Sequence, residues 1–315
     1  MTETASEELT EPPHPGRPHG RVTPAFEAGT ICAVAGQAQR QMRGWAAEHP
    51  ALYDAKAFDP ALFSTLALAA AFSGPGLSAD RLRMANRVCL WCFGLDWLID
   101  YAASSRAEVA GLVRQCARIA DGASPTDGTG DGASPEDELA RFLADIRDEL
   151  AAEPAYPKLR DVWRDELRRM LDAMALEWDW KASREKGEPG PSFEDYLANA
   201  DNLGFSFVFA SHWIASGGGG NAPAVRAASR AVQRVVRLLN DLGTYERDVQ
   251  WGDMNGLLLD RTRAEVEERI GELTSEARTL LHDVAKDVPE LARYMERQMD
   301  FCAGFYGVTD FWGTL

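Results

Sequence analysis

Three oxygen-bearing side chains recur every four residues in the stretch NDLGTYERD, residues 240–248. Asn240 carries an amide carbonyl, Thr244 a hydroxyl and Asp248 a carboxylate. Positions i, i+4 and i+8 of an α-helix share one face, so this spacing would stack the three oxygens along one side of a helix. Oxygen donors of this kind suit a hard cation, above all Mg²⁺. The spacing therefore indicates a metal-binding face.

The charge on this face is too small to hold Mg²⁺ tightly without help. One carboxylate among three donors would need further oxygens, and a substrate phosphate could supply them. Arg237 lies one turn before Asn240 and Arg247 directly precedes Asp248, so both guanidinium groups are candidates for binding phosphate oxygens. The structural alternative is a capped and solvated helix end.

A second pair of carboxylates lies in the stretch FGLDWLIDY, residues 93–101. Asp96 and Asp100 are four residues apart within an apolar helical pattern. Burying two carboxylates is costly unless they are paired or bind a metal. They could instead face solvent or pair with arginines, but leucine or alanine would serve a purely structural face better. This favours a functional role for the pair.

The two stretches together are more specific than either one alone. Two helices, about 140 residues apart in the chain, would each present oxygen donors. If both faces meet in one cavity of a helical bundle, they would clamp a diphosphate through a cluster of Mg²⁺ ions. The predicted metal ligands are Asp96, Asp100, Asn240, Thr244 and Asp248.

The elements that must position these residues are helical throughout. Apolar residues recur at spacings of three and four from residue 26 to residue 306, and no clear alternating strand pattern occurs. Asn221 followed by Pro223 predicts the start of the helix that carries the 240–248 motif. The predicted fold class is all-α, a single-domain bundle of about ten helices.

Composition separates the chain into a tail and a globular part and limits its partners. Residues 1–24 are rich in Pro, Glu, Gly and His and are predicted to be a disordered N-terminal tail. Residues 25–315 are predicted to form the helical domain. The chain has 33 basic and 49 acidic residues, a net charge of −16, which disfavours nucleic acids and anionic membrane surfaces as partners.

The cysteines and apolar runs indicate a cytoplasmic protein. Five cysteines are an odd number, and several lie in apolar periodic segments, which is typical of a reduced compartment. Cys89 and Cys92 are predicted to be buried core thiols. No apolar run approaches the length of a transmembrane helix, and the N-terminal stretch lacks the apolar core of a secretory signal.

With these motifs in place, the sequence resembles the bacterial class I terpene synthases. Residues 240–248 match the second metal motif of that family, with Asp in place of the commoner Glu, and Arg247 matches the basic residue before the last carboxylate. The resemblance extends over about residues 26–312. It implies the class I terpene synthase fold, three Mg²⁺ ions and an enzyme that is a carbon–oxygen lyase, ionising an isoprenoid diphosphate and steering the carbocation.

The first metal motif of the family is matched only in part. Asp96 and Asp100 match its first and last positions, but Trp97 stands where a second Asp is usual. The stretch PSFEDYLANADNLGFSFVF resembles the helix break that senses diphosphate in these enzymes. Gly204 falls at the effector position, whereas the usual sensor Arg is replaced by Ala200.

A further departure lies near the C-terminus. The Arg-Tyr pair of the family would fall at about Asp310–Phe311 and is absent. Arg293 and Tyr294 come too early for that role and are predicted to lie on a helix surface. Asp96, Gly204, Arg237 and Arg247 remain the residues that the resemblance implicates in catalysis.

The substrate-binding residues are expected to be Phe93, Trp97, Ala200, Arg237 and Arg247. Aromatic faces stabilise a cation by about 1–2 kcal/mol each in a dry site, and Phe205, Phe207, Phe209 and Trp213 beyond the helix break are further candidates. Plain core packing is the alternative for each ring. His212 is predicted to be a core or loop residue rather than a base.

The helix-break segment points to a diterpene substrate. The stretch Tyr196–Ala200 resembles that of kaurene synthases, which act on a bicyclic copalyl-type diphosphate and also lack the sensor Arg. A class I diterpene synthase acting on such a diphosphate, or on geranylgeranyl diphosphate, is therefore implied. The class II motif D-x-D-D is absent from the sequence, so a separate class II cyclase would make the bicycle. A homodimer is the expected assembly.

Two other functions remain open at this point. The form D-x-x-x-D also resembles squalene and phytoene synthases, which condense two prenyl chains head to head. The second D-x-x-x-D of those enzymes is missing from residues 240–253. A non-catalytic helical protein that binds lipids or partners through an acidic surface is the third possibility.

Overall fold

The computed structural model describes residues 24–125 and 133–313, which form a helical bundle. Within these residues there are twelve α-helices and no β-strand, so the predicted all-α fold class is confirmed. The predicted N-terminal tail lies outside the described residues except for Pro24, which begins the first helix. The helices, in chain order, are α1 Pro24–Glu48, α2 Pro50–Tyr53, α3 Pro60–Ser73, α4 Ala79–Trp97, α5 Arg106–Ala120, α6 Pro135–Ala151, α7 Tyr156–Glu185, α8 Phe193–Ala198, α9 Phe205–Ala215, α10 Ala222–Trp251, α11 Arg263–Ala285 and α12 Pro289–Phe305.

Two features raise the helix count above the predicted ten. The single-turn helix α2 follows α1 after one residue. The apolar periodicity of residues 192–215 is continuous, but the backbone breaks between α8 and α9 into a 3₁₀ turn, Ala200–Leu203. In the described part of the chain, no helix is both long enough and apolar enough to cross a membrane.

Side-chain caps explain where α10 and α11 begin. The Asn221 side chain accepts a hydrogen bond from the amide of Ala224 at 3.1 Å, and α10 starts at Ala222 with Pro223 in its first turn. This confirms the predicted start of the helix that carries the 240–248 motif. Thr262 forms a capping box with Glu265 at the start of α11, which satisfies backbone amides that the helix leaves unpaired.

Large aromatic side chains tie α4, α7 and α9 together in the core. The ring of Phe207 on α9 lies 5.8 Å from Trp91 on α4 and 5.5 Å from Trp163 on α7, centroid to centroid. Both indole N–H groups are satisfied, by the carbonyl of Leu139 at 3.0 Å and the hydroxyl of Ser211 at 2.9 Å. These contacts fix the three helices that carry much of the cavity described below.

A glycine inside the 240–248 motif lets the end of α12 approach α10. A Cβ atom placed on Gly243 would lie 2.7 Å from the carbonyl oxygen of Tyr306 and 3.0 Å from its Cβ. Carbon atoms do not pack that closely, and the nearest obstacle is backbone. Gly243 is therefore required by the packing of the two helices, although glycine weakens a helix intrinsically.

We expect Gly243→Ala to destabilise the protein by about 1–3 kcal/mol, the usual range for overpacking. An alanine in an open helix position would instead stabilise by about 0.5–1 kcal/mol. Gly271→Ala on α11 is the matched control, because nothing lies within 4 Å of the added Cβ there. Urea unfolding measures both free energies. Equal stabilisation by the two alanines would contradict the close approach.

His212 is a core residue of α9, as the sequence predicts. Its side chain is buried, and its ring stacks on Tyr294 of α12 at 4.2 Å. Burial, together with a smaller contribution from the charge of Arg81, lowers the pKa of His212 to about 4. The imidazole is therefore neutral in the folded protein at neutral pH.

Acid should therefore destabilise the fold through His212. The folded-state pKa lies below the unfolded value of 6.5. The stabilisation by the neutral, buried imidazole is therefore present above pH 6.5 and is lost as the pH falls towards 4. It amounts to roughly 2–3 kcal/mol. We expect His212→Gln to flatten the pH dependence of the unfolding free energy between pH 6.5 and 4, measured in urea. An unchanged slope would show that His212 does not cause it.

Candidate active site

One cavity is bordered by α3, α4, α7, α9, α10 and α12. Both predicted metal motifs reach it: Asp96, Asp100, Asn240 and Asp248 line its wall. Apolar side chains line the wall nearer the N-terminal ends of α4 and α10, and these motifs follow towards the C-terminal ends. The apolar lining includes Leu66, Ala69, Ala70, Ala85, Cys89, Cys92, Phe93, Phe205, Val208, Phe209 and Val236. The cavity therefore has an apolar part suited to hydrocarbon and a polar end suited to charge.

The first motif lies where α4 changes into a π-helical turn. Asp96 is in the last turn of α4, and Asp100 lies within the turn Leu98–Ala102. The amide of Ala103 bonds the carbonyl of Leu98 at 2.8 Å, an i to i+5 hydrogen bond. A π-turn needs more residues per turn than an α-helix, and such turns are frequent at functional sites. Here it still leaves both carboxylates on the cavity wall.

The Asp96 and Asp100 carboxyl groups interact closely, and each affects the pKa of the other. Burial raises the pKa of Asp96 to about 6, against a hydrogen bond from Asp100 and the nearby charge of Arg247. The surrounding protein and the close Asp96 carboxylate raise the pKa of Asp100 as well, although Asp100 remains exposed. The indole N–H of Trp312 also donates to Asp96.

The second motif is internally hydrogen-bonded along α10. The Thr244 hydroxyl lies 2.6 Å from Oδ2 of Asp248 and 2.9 Å from the carbonyl oxygen of Asn240. Thr244 is buried and does not itself line the cavity, whereas Asn240 and Asp248 do. The Asn240 amide hydrogen-bonds the hydroxyl of Tyr306. The three predicted ligands thus lie on one helix face, with Thr244 supporting Asp248.

Asn255 is a positioning residue that sequence reasoning missed. It is fully buried, and its Nδ2 donates to Oδ2 of Asp248 at 2.8 Å and to the carbonyl of Asp241 at 2.9 Å. It lies beyond the end of α10, after a left-handed turn at Gly252, so helical spacing gives no sign of it. Only the Asn-Gly pair after the motif hints at a turn there.

Arg237 is held in a buried network behind the cavity wall. Its Nη2 donates to Glu177 at 2.9 Å and its Nε to the hydroxyl of Tyr196 at 2.7 Å. The same hydroxyl donates to Asp241 at 2.7 Å. Burial raises the pKa of Asp241 to about 7, although Arg237 and Tyr196 act against the rise. Arg237 lines the cavity, but two of its three nitrogen atoms already donate hydrogen bonds to Glu177 and Tyr196.

Arg247 lies at the polar end of the cavity and pairs with the C-terminal segment. Its guanidinium is 2.9 Å from Asp310 and 3.4 Å from Asp248, and it lies over the ring of Trp251 at 5.1 Å. The structure thus puts a carboxylate at the position where the family has its Arg-Tyr pair. Phe311 and Trp312, which follow, line the cavity.

The predicted helix break is present, but its residues differ in their access to the cavity. Gly204 is left-handed, with φ of 74°, and a Cβ there would lie 2.8 Å from Sδ of Met170. Ala200 is buried, and neither Ala200 nor Gly204 lines the cavity. Asn202 and Leu203, between them, do line it, and Asn202 donates to Glu177.

The aromatic candidates divide into lining and core residues. Phe93, Phe205 and Phe209 line the cavity, whereas Phe207 and Trp213 are core residues that do not. Trp97 does not line it either, because its ring stacks on Tyr101 at 4.7 Å. Trp97 therefore supports the wall instead of facing the substrate as expected.

Two further expectations need correction. Arg293 is exposed, but Tyr294 is buried and lines the cavity, so placing Tyr294 on the helix surface was wrong. Cys89 and Cys92 are free and half-buried on the cavity wall rather than in a closed core. Burial raises the pKa of Cys89 to about 12, which leaves it an unreactive thiol.

Carboxylates outnumber cations around the cavity by two to one. In the described chain no three His, Cys, Asp or Glu residues form a ready metal cage. A divalent cation would therefore also need amide and hydroxyl oxygens, which the 240–248 motif offers. It would need oxygens of a bound substrate as well. The excess of carboxylates fits metal binding, since a bound cation would offset their negative charge. The charged lining residues are Asp96, Asp100, Glu177, Asp248, Asp253 and Asp310, with Lys181, Arg237 and Arg247.

Comparison with solved structures supports the fold. A linalool/nerolidol synthase from Streptomyces clavuligerus, crystallised with 2-fluorogeranyl diphosphate, is 18% identical, with a TM-score of 0.63 over 87% of this chain and 97% of that one. A 2-methylisoborneol synthase from Streptomyces coelicolor A3(2), crystallised with Mg²⁺ and geranyl-S-thiolodiphosphate, is 16% identical, with a TM-score of 0.67 over 86% and 91%. Both share the helical class I terpene synthase fold.

Sequence comparison identifies the family. An ent-pimara-9(11),15-diene synthase from Streptomyces sp. strain KO-3988 is 27% identical over 280 residues, which cover 87% of this chain and 90% of that protein. The family model described as terpene synthase family 2, C-terminal metal binding, matches residues 87–263. This range is more than half of the chain and contains both motifs. The chain therefore belongs to terpene synthase family 2, whose members are lyases that act on isoprenoid diphosphates.

Proposed function

We propose that this protein is a Mg²⁺-dependent class I diterpene synthase that ionises an isoprenoid diphosphate and cyclises the resulting carbocation. The observation that carries the proposal is the single cavity whose polar end presents both oxygen-donor motifs and whose remaining wall is apolar. The polar end suits the diphosphate and its cations. The apolar wall suits the hydrocarbon, because carbon chains leave water for such surfaces.

The metal-holding residues of the proposal are Asp96, Asp100, Asn240 and Asp248, with Thr244 orienting Asp248 through its hydroxyl, and three Mg²⁺ ions are expected. When bound, Mg²⁺ would neutralise the departing diphosphate and so lower the barrier to ionisation. Asn255 keeps Asp248 in its rotamer through the 2.8 Å hydrogen bond. Support of this kind typically raises metal affinity by about 10–100-fold.

Arginine side chains would stabilise the leaving group. Arg247 stands beside Asp248 at the polar end, so its guanidinium can bind diphosphate oxygens as the carbon–oxygen bond breaks. Arg237 is more deeply held by Glu177 and Tyr196 and acts mainly as a fixed positive charge. The chain contributes electrostatic stabilisation here, without a nucleophile.

Aromatic rings would protect and stabilise the carbocation. Phe93 on α4 lies 5.1 Å from Trp312 and 5.8 Å from Phe311, centroid to centroid, and all three line the cavity. Their faces attract a cation by about 1–2 kcal/mol each when water is excluded. The C-terminal segment supplies two of these rings, so it also limits the access of water.

A copalyl-type bicyclic diphosphate is the favoured substrate. Ala200 provides no charge at the position of the usual sensor Arg, and a bicycle arrives partly preorganised, so less binding energy goes into ordering torsions. The name of the relative with 27% identity records a diterpene product, which supports a substrate of this size. A separate class II cyclase would supply such a bicycle.

We expect Asn240→Ala to lower kcat/KM by at least about 100-fold while the protein stays folded. Asn240 is only half-buried, so its loss leaves few groups unsatisfied. Asp248→Ala is a poorer probe, because it would leave the buried Thr244 hydroxyl and the Asn255 amide without Asp248. Diphosphate release at varied Mg²⁺ concentrations is the measurement.

Gln250→Ala is the matched control for this experiment. Gln250 carries the same amide group on the same helix, but it is exposed and does not line the cavity. It should keep wild-type turnover. Near wild-type turnover of Asn240→Ala would refute the assignment of Asn240 as a metal ligand.

We expect a higher kcat/KM with a copalyl-type diphosphate than with geranylgeranyl diphosphate. Several stereoisomers of the bicycle should be compared at equal Mg²⁺, with geranyl and farnesyl diphosphates as shorter controls. Gas chromatography identifies the products. Efficient conversion of a linear substrate to a single product, with every bicyclic isomer inert, would overturn the substrate proposal but leave the lyase chemistry intact.

A further inference from the structure

The cations of the cavity are not equally available to an anion. Among the three that line it in the described chain, Arg237 is 6% exposed and is bonded to Glu177 and Tyr196. Arg247 faces two carboxylates, Asp248 and Asp310. Lys181 has a single ion pair, with Asp253, at 2.6 Å.

Lys181 is placed in the cavity by the spacing of α7. It follows Met174, Glu177 and Trp178 on the same helical face, and all four line the cavity. Its side chain remains 23% exposed, so a ligand can reach the ammonium group. An ammonium has three N–H donors, and the pair with Asp253 uses one of them.

Asp253 fixes the ammonium between the two metal motifs. The left-handed turn at Gly252 ends α10, and the amide of Asp253 bonds the carbonyl of Asp248 at 2.9 Å. This ties Asp253 to the second motif. Asp253 also lines the same cavity as Asp96 and Asp100, the carboxylates of the first motif.

Lys181 remains charged in this position. Burial lowers its pKa, but the hydrogen bond and the charge of Asp253 outweigh that effect, and the pKa of Lys181 is raised overall. A charged ammonium with spare donors, accessible at the polar end, is equipped to bind phosphate oxygens.

We propose that Lys181 is a further substrate-binding residue that contacts the diphosphate group, with Asp253 positioning it. This inference rests on the proposed function, since it concerns the diphosphate of the same site. Lys181 gives the polar end a cation that faces a single carboxylate, whereas Arg247 faces two and Arg237 is buried. Asp253 keeps one N–H occupied and so directs the remaining two towards the ligand.

The test is calorimetric binding of inorganic diphosphate at saturating Mg²⁺ to wild type, Lys181→Gln, Lys181→Arg and Arg184→Gln. Arg184 lies one turn further along α7, is exposed, does not line the cavity and reaches only the backbone carbonyl of Asp253, at 3.5 Å, so it controls for loss of a nearby charge. We expect Kd to rise by about tenfold in Lys181→Gln, the usual size of a charged hydrogen bond. It should rise less than about threefold in Lys181→Arg and stay within about twofold in Arg184→Gln.

The outcomes separate this inference from the proposed function. Equal diphosphate affinity of Lys181→Gln and Arg184→Gln would overturn the role of Lys181 and leave the synthase proposal standing. Absence of Mg²⁺-dependent diphosphate binding by the wild type would overturn both. Unfolding in urea accompanies each variant, and a loss of affinity with unchanged stability supports the inference. If Lys181→Gln is destabilised, an equal loss of affinity in Lys181→Arg, with wild-type stability, counts against the role of charge.

Discussion

The excess of carboxylates around one partly enclosed cavity is the constraint to which the rest of the structure responds. Six carboxylates and three cations line it, and partly buried charges are screened less than charges on an open surface. The protein neutralises part of this charge itself: Glu177 pairs with Arg237, Asp253 with Lys181 and Asp310 with Arg247. The pKa values of Asp96 and Asp100 are raised instead. The remaining demand is for positive charge, which is why a metal–diphosphate complex suits this cavity better than a free anion does.

Helix α10 presents polar side chains to the cavity and also packs against the rest of the bundle. One face carries Asn240 and Asp248 into the cavity, and the buried Asp241 on the next face accepts hydrogen bonds from Tyr196 and the amide of Gly256. Because Gly243 has no side chain, the end of α12 can reach Asn240 through Tyr306. The motif is therefore rigid before any ligand arrives, which reduces the ordering that binding must bring about.

Apolar periodicity predicted the helical fold, the pair Asn221 and Pro223 predicted the start of α10, and the oxygen donors of the two motifs predicted that they meet at one cavity. Such patterns could not predict Asn255, Tyr306 or Trp312, because their contacts with the motif residues join segments that no helical spacing relates. The π-turn at Leu98–Ala102 also cannot be predicted from apolar residues that repeat every 3.6 positions. The prediction that Tyr294 lies on a helix surface was wrong, because it shares a buried face of α12 with Leu291 and Met295.

The C-terminal segment, residues 306–313, both neutralises charge and covers part of the cavity. Asp310 pairs with Arg247 and the Trp312 indole donates to Asp96, so the segment occupies two groups that the proposed ligand would also use. Breaking a partly buried ion pair is costly unless an equivalent partner replaces the lost one. A diphosphate can replace Asp310 at Arg247, and the accompanying cations can take up the carboxylates, so charged partners are exchanged rather than lost. The contacts of Trp312 with Phe58 and Phe93, at 5.6 and 5.1 Å, involve no charge. They can therefore hold the segment over the cavity whichever partner Arg247 has.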